Sequence, residues 1–238
     1  MNIALVGYGK MGKAIEQIAI DRGHTISAAI GLDNKDEIYS LNSTTTDVVI
    51  EFTQPESAYN NIKTCLEQGI PVVSGTTGWL EHQEEIEALC KEKKGAFFYA
   101  SNFSIGVNLF FSINKTLAKL MNGFQDEYEV NMEEIHHIHK KDAPSGTAIT
   151  LAEGITENFE KKKGWQLDNT NSDLIHINAV RENEVPGTHI INYVSEIDQI
   201  EIKHEAFSRK GFSTGAVVAA EWIKGKEGIF GMNDLLKL

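Results

Sequence analysis

Residues 1–13, Met1-Asn2-Ile3-Ala4-Leu5-Val6-Gly7-Tyr8-Gly9-Lys10-Met11-Gly12-Lys13, decide the architecture of this chain. Ile3 to Val6 is apolar without alternation, the pattern of a strand buried on both faces. From Met11 to Ala19 apolar residues recur at three- and four-residue spacing, the pattern of a helix. Between them lies G-x-G-x-x-G, in the strand–loop–helix context that a dinucleotide-binding loop requires. Gly7 allows the tight turn, Gly9 lets backbone approach a pyrophosphate, and Gly12 permits close packing of helix on sheet. Tyr8, Lys10 and Met11 complete the loop, and the N–H groups at the helix start are offered to phosphate. An acidic residue for the adenosine ribose is expected about twenty positions later. Gly31 has no side chain and Asp33 lies two residues beyond the expected strand end, so the choice between NAD and NADP stays open. Lys10 and Lys35 are available to a 2′-phosphate.

Further along, Thr25 to Ile30, Val48 to Phe52, Pro71 to Ser74 and Ala96 to Tyr99 are apolar runs of the same kind. Glu56 to Gln68 and Trp79 to Lys93 carry helical spacing between them. Strand and helix in alternation imply right-handed crossovers and a parallel sheet. Gly75-Thr76-Thr77-Gly78 and Ala100-Ser101-Asn102-Phe103 then fall at carboxyl ends of strands, where such sheets place ligands. After Asn102 the pattern changes. Val107 to Met121 and Ser145 to Phe159 are expected helices, and Glu127 to Ile135, Ile175 to Arg181, Thr188 to Val194 and Gln199 to Ala206 expected strands. Those strands suggest an open, mostly antiparallel sheet with Ile190, Tyr193 and Ile202 partly uncovered. Thr214 to Lys224 is helical and is expected to return to the first domain.

Composition narrows the function. The 238 residues are 41% hydrophobic and 24% charged, as in ordinary globular chains, and the formal net charge is −12. So acidic a surface argues against nucleic acid and membrane partners. No apolar run approaches the ~20 residues of a membrane-spanning helix. The N-terminus opens on a strand rather than a secretion signal, so a soluble cytoplasmic protein is expected. Cys65 and Cys90 are expected to be buried thiols in a reducing compartment.

Against that charge, Ile135-His136-His137-Ile138-His139-Lys140-Lys141-Asp142-Ala143-Pro144-Ser145-Gly146-Thr147-Ala148 gathers three of the eight histidines and two lysines. This is a local cation site for an anionic substrate. Pro144 bars helix and Ser145 is a good N-cap, so the Gly146 and Thr147 amides sit at the positive end of a helix, ready for a carboxylate. A histidine and a neighbouring lysine are suitable proton donors for a reducing centre. No glutamate or cysteine stands at a recognised metal spacing from the histidines, so no metal is expected.

The glycine loop, Glu51-Phe52-Thr53 before Pro55, GTTG at 75, NFSIGVN from Asn102, HHxHK at 136 and DAPSGTA at 142 together resemble the dihydrodipicolinate reductase family over almost the whole chain. The resemblance implies an α/β protein: an N-terminal Rossmann-like dinucleotide-binding domain, 1–103 completed by 209–238, plus an α+β substrate and tetramerisation domain, 104–208, with an open mixed sheet. It implies NADH- or NADPH-dependent reduction of 4-hydroxy-tetrahydrodipicolinate with loss of water, on the diaminopimelate route to lysine, by a homotetramer. By the same resemblance His136 and Lys140 handle protons, while His137, Ser145, Gly146 and Thr147 hold the small cyclic dicarboxylate. The residues Gly7, Tyr8, Gly9, Lys10, Met11, Gly12, Asp33, Phe52, Gly75, Thr76, Thr77, Ala100, Ser101, Asn102 and Phe103 match cofactor contacts, with Arg209 and Phe212 on the hinge side. The chain departs from the family at the adenosine end: its first loop is shorter and has Lys10 where arginine is usual, and the acidic residue falls on Gly31 or Asp33. Two rivals are a dehydrogenase of another small carboxylated imine or aldehyde and a dinucleotide-sensing regulator. The second lacks a basic recognition helix and leaves HHxHK without purpose.

Overall fold

The computed structural model describes residues 1–167, 170–208 and 210–238. They form two compact units, one of Met1–Ile105 with Lys210–Leu238 and the other of the chain between. The first unit opens with β1 (Asn2–Val6), α1 (Lys10–Asp21), β2 (Thr25–Ile30), β3 (Val48–Glu51), α2 (Pro55–Glu67), β4 (Val72–Ser74), α3 (Gln83–Glu92) and β5 (Ala96–Tyr99). The helix α4 (Ile105–Met121) leads into the second unit, which continues with β6 (Glu129–His136), α5 (Gly146–Thr156), β7 (Gly164–Gln166), β8 (Leu174–Arg181), β9 (Thr188–Val194) and β10 (Gln199–Glu205). Returning to the first unit, α6 (Lys210–Ile223), β11 (Gly228–Phe230) and α7 (Met232–Leu236) end the chain.

The first sheet is parallel throughout, in the order β11-β5-β4-β3-β1-β2. Its strands are apolar at every position because successive residues feed opposite cores. Ile3 and Leu5 pack with Ile15 and Ala19 of α1 and with Ala216 and Ala220 of α6. Ala4 and Val6 pack with Ile62 and Leu66 of α2 and Ile86 of α3. From β1 the chain steps outward to β2 and then crosses to β3 on the other side, so the carboxyl ends of β1 and β3 border a crevice of the kind that holds ligands in such sheets. Between β2 and β3, Asn34 to Thr46 holds only a 3-10 helix, Lys35–Ser40.

The second sheet runs β10-β9-β6-β8-β7. One face packs on α4 and α5 through Phe110, Met121, Leu151 and Ile155. Two of its four pairings are parallel, β6 with β8 and β8 with β7, so the expected antiparallel predominance does not hold. The helix α5 supplies a crossover after β6, and a strand that follows a crossover lies parallel. Of the side chains expected to be partly uncovered, Ile190 and Ile202 are so, but Tyr193 is 0% exposed, its ring 5.7 Å from that of Phe159. Along β9 side chains alternate, so His189, Ile191 and Tyr193 share the covered face, while Ile190 and Asn192 stand on the other. The elements β7, β11 and α7 have no counterpart in the sequence reading, because three to five residues carry too little periodicity to declare themselves.

Candidate active site

The carboxyl edge of the first sheet is built largely from missing side chains. Gly7 has φ +102°, and a Cβ there would lie 1.9 Å from the Phe52 carbonyl oxygen. A Cβ on Gly12 would lie 2.3 Å from the Gly7 carbonyl oxygen. These two glycines let the end of β1, the start of α1 and the end of β3 meet. Gly9, the N-cap of α1, faces open space and carries no side chain to close off that helix end. The result is an uncapped, positively polarised helix terminus with backbone standing clear, the arrangement a pyrophosphate needs. Beside it lies a cavity of about 240 Å³ lined by Met11, Phe52, Thr53, Pro55, Gly75, Thr76 and Thr77. The edge so shaped fits a dinucleotide.

Around that cavity the loops are braced. Glu51, fully buried at the end of β3, accepts hydrogen bonds from Ser74 Oγ at 2.6 Å, from Thr76 Oγ1 at 2.9 Å, and from the Thr53 hydroxyl. Burial pushes the Glu51 carboxyl up, opposed by these donors. The Phe52 and Phe103 rings sit 5.6 Å apart, Ala100 is buried, Ser101 exposed, and the Asn102 side chain accepts from the Ser104 amide at 2.9 Å. Phe212 is half-buried in the first turn of α6. Arg209 lies outside the described residues. At the far end, Lys10 and Asp33 are exposed, and the Tyr8 hydroxyl donates to Glu16. Asn34, not Asp33, folds back onto β2: its Oδ1 accepts from the Gly31 amide at 2.7 Å.

In the second unit, β6 ends on His136 and the basic loop runs from there to α5. Ser145 caps α5 as expected, its Oγ accepting from the Ala148 amide at 3.1 Å. Gly146 is exposed, and a Cβ on it would meet nothing within 4 Å, so a ligand has room to reach the backbone. Lys140 is held by Asp142 at 2.7 Å. His137 is half-buried, and the exposed His139 pairs with Glu184 at 3.3 Å.

Three residues that the sequence reading passed over, Glu134, Arg181 and His189, converge on His136. Glu134 is 1% exposed and accepts from Arg181 at 2.9 Å and from the Ser145 amide at 3.1 and 3.0 Å. Its Oε2 lies 3.4 Å from His136 Nδ1 and 3.8 Å from His189 Nε2. Burial would raise the Glu134 carboxyl, but hydrogen bonds from Ser145 and Arg181 and the nearby His136 hold it below the ordinary range. Burial lowers the His136 imidazole against the pull of Glu134, with Lys140 and Arg181 lowering it further. Burial, aided by His136, pushes His189 down to about 3. One signal in the sequence does mark Glu134: it occupies the core-facing row of β6 with Val130 and Met132, where a carboxylate requires partners. Of the three loop histidines, His137 and His139 have their rings 6.1 Å apart, while the His136 ring meets that of His189 at 5.2 Å. Glu134, His136 and His189 bring possible ligand atoms within 4.8 Å of one another, yet the Arg181 guanidinium and the Ser145 amide already engage the carboxylate.

Comparison with known proteins agrees along the whole chain. The family model described as dihydrodipicolinate reductase, N-terminus, matches residues 1–103, and that described as dihydrodipicolinate reductase, C-terminus, matches residues 106–236. A 4-hydroxy-tetrahydrodipicolinate reductase of Christiangramia forsetii is 55% identical over 99% of this chain and 98% of its own length. One of Neisseria gonorrhoeae is 32% identical over 94% of this chain and 84% of its own. In fold, the chain is similar to a dipicolinate-bound dihydrodipicolinate reductase from Paenisporosarcina sp. TG-14, with a TM-score of 0.76 at 22% identity, covering 98% of both chains.

Proposed function

The chain belongs to the dihydrodipicolinate reductase family and performs its NAD(P)H-dependent reduction of 4-hydroxy-tetrahydrodipicolinate, with loss of water, on the diaminopimelate route to lysine; from that premise we propose which residues do the work. The dinucleotide is held at the first unit's carboxyl edge by residues 7–12 at the pyrophosphate and by Phe52, Gly75, Thr76 and Thr77 around the cavity. Ala100, Ser101, Asn102, Phe103 and Phe212 extend that surface, and the turn carrying Asp33 meets the adenosine ribose. When bound, the reduced nicotinamide supplies the hydride.

The second unit holds the substrate and moves the proton. The amides of Gly146 and Thr147, with Ser145 capping their helix, receive one ring carboxylate, and His137 contacts the dicarboxylate beside them. His136 and Lys140 are the proton-handling pair. The observation that carries this reading is a buried imidazole beside an ionised carboxylate, in a lysine-bearing loop that leads into an open helix start, within a chain of net charge −12. Initial rates of NADH and NADPH oxidation, with substrate made in situ from pyruvate and aspartate semialdehyde, test it. Oxidation with either cofactor is expected, and the ratio gives the preference. Intact cofactor binding without oxidation would move the assignment to another carboxylated imine.

The open face of the second sheet carries Asn131, Glu133, Asn178, Ile190 and Asn192 around a hollow of about 360 Å³ and is the proposed contact of a homotetramer. Sedimentation should give four times the chain mass, and a monomer would end the idea. None of the helices among the described residues is long and apolar enough to cross a membrane, and a cytoplasmic location is proposed.

A further inference from the structure

Glu134, Arg181 and His189 have no task in the reading above, and burying them is costly unless they serve the site. Arg181 is immobilised at both ends of its guanidinium, donating to Val180 O at 2.8 Å, to Asp142 O at 2.6 Å and to Glu134 Oε1 at 2.9 Å. The Ser145 amide reaches both oxygens of Glu134. The carboxylate therefore cannot swing away, and its Oε2 is aimed at two imidazoles. Of these, His189 is the farther, its Nε2 lying 3.8 Å from Oε2 and 3.1 Å from Ser145 Oγ, a contact in which either atom can donate. Nδ1 of His136 is buried with no hydrogen-bond partner among the described residues, and its ion-pair partner is Glu134 Oε2 at 3.4 Å, close enough for a small movement to close the bond.

We propose that Glu134 is a positioning residue for this reaction: it keeps the imidazole proton of His136 on Nδ1, so that Nε2 is the nitrogen that exchanges a proton with the substrate. The proposal rests on the assignment of His136 as a proton-handling residue. Two further features fit it. The His136 carbonyl accepts from the Glu182 amide at 2.8 Å, which fixes the strand end. A Cβ on the buried Gly187 would lie 3.1 Å from His136 Nε2, so the glycine keeps that nitrogen clear. The charged and titratable groups facing His136 are Glu134 on its own strand, Arg181 at the end of β8, His189 on β9, and Lys140 and Asp142 in the loop. Asp142 is paired to Lys140, which leaves Glu134 as the principal group favouring the imidazolium. A carboxylate on one imidazole nitrogen sets the tautomer and steadies the charge that forms when the other takes a proton.

Histidine-selective 13C/15N labelling of the full-length protein reads the tautomer directly, with His136→Gln identifying the resonance. At neutral pH His136 should carry its proton on Nδ1. In Glu134→Gln, which keeps shape and removes charge, the population should move toward the Nε2–H form. The kcat of that variant should fall roughly 10- to 100-fold with KM changed only a few-fold, and the pH-profile limb belonging to His136 should move to lower pH by about one unit. Glu134→Asp should recover part of the rate. A folded Glu134→Gln whose tautomer and pH limb are those of the parent overturns the proposal and leaves Glu134 a structural residue. Should the variant not fold, the parent spectrum decides, because a proton on Nε2 at neutral pH overturns it alone. Retained turnover in His136→Gln would instead remove the assignment of His136, while the spectra still report whether Glu134 sets its tautomer.

Discussion

The two units assemble their sites by opposite means. At the edge of the first sheet the chain makes room: Gly7 and Gly12 permit contacts that any side chain would block, and Gly9 leaves a helix end bare. In the second unit the chain fills space with polar side chains, and Glu134, Arg181, Ser145 and His189 surround His136 from three strands and the cap of α5. The first site is a property of backbone and needs one short segment. The second is a property of side chains and exists only when β6, β8, β9 and the start of α5 are together. Backbone sites of the first kind fail by steric exclusion, whereas clusters of the second kind fail by loss of charge balance.

That contrast can be tested from its largest expected effect to its smallest. Gly7→Ala should cost on the order of 4 kcal/mol in denaturant unfolding, because its methyl meets the Phe52 carbonyl in a backbone conformation side chains avoid. Gly9→Ala should leave stability unchanged and weaken NADH binding about tenfold by fluorescence titration, since the methyl would occupy only ligand space. Equal loss of stability in both would break the distinction. In the second unit, His136→Gln should lower kcat about a hundredfold with KM within a few-fold in steady-state assays. Turnover within a few-fold of the parent would remove His136 from the proton-handling role.

Charge balance makes a pH prediction. His189 is held neutral in the fold, with its proton affinity pushed down to about 3 from 6.5. The unfolded chain takes up that proton as pH falls below the ordinary value, so the contribution is intact at pH 7 and is lost on acidification. Stability should fall by about 2 kcal/mol between about pH 7 and pH 5 from this group. Urea unfolding at the two pH values should show a smaller drop in His189→Gln, and an unchanged drop would assign the acid sensitivity elsewhere. The smallest effect concerns the core beneath the second sheet. The Tyr193 hydroxyl is buried and has no hydrogen-bond partner among the described residues. Tyr193→Phe should therefore be neutral or stabilising by up to about 1 kcal/mol, and a clear destabilisation would reveal a partner for that hydroxyl.

Much of this protein was legible in local pattern. The G-x-G-x-x-G loop and the apolar runs placed β1 to β5 and the three helices among them, because a strand buried on both faces leaves an unbroken signature. Ser145 was legible as a cap and the basic loop as a cation site. The open sheet was less so. Side-chain parity along β9 puts Tyr193 and Ile190 on opposite faces, but the sequence does not say which face is covered, and the parallel pairing of β8 with β6 depends on the crossover through α5.

By itself, then, the sequence determined the elements that a few consecutive residues suffice to specify: the dinucleotide loop, the parallel half, the histidine-lysine loop and its capped helix. Only the tertiary structure decided that Glu134 sits beside His136 with Arg181 and His189 around it. The reason is physical. A turn or a cap is satisfied by neighbours in the chain, whereas a buried carboxylate must find its donors wherever folding brings them, and of its two donors Arg181 lies on a strand whose pairing no local pattern records.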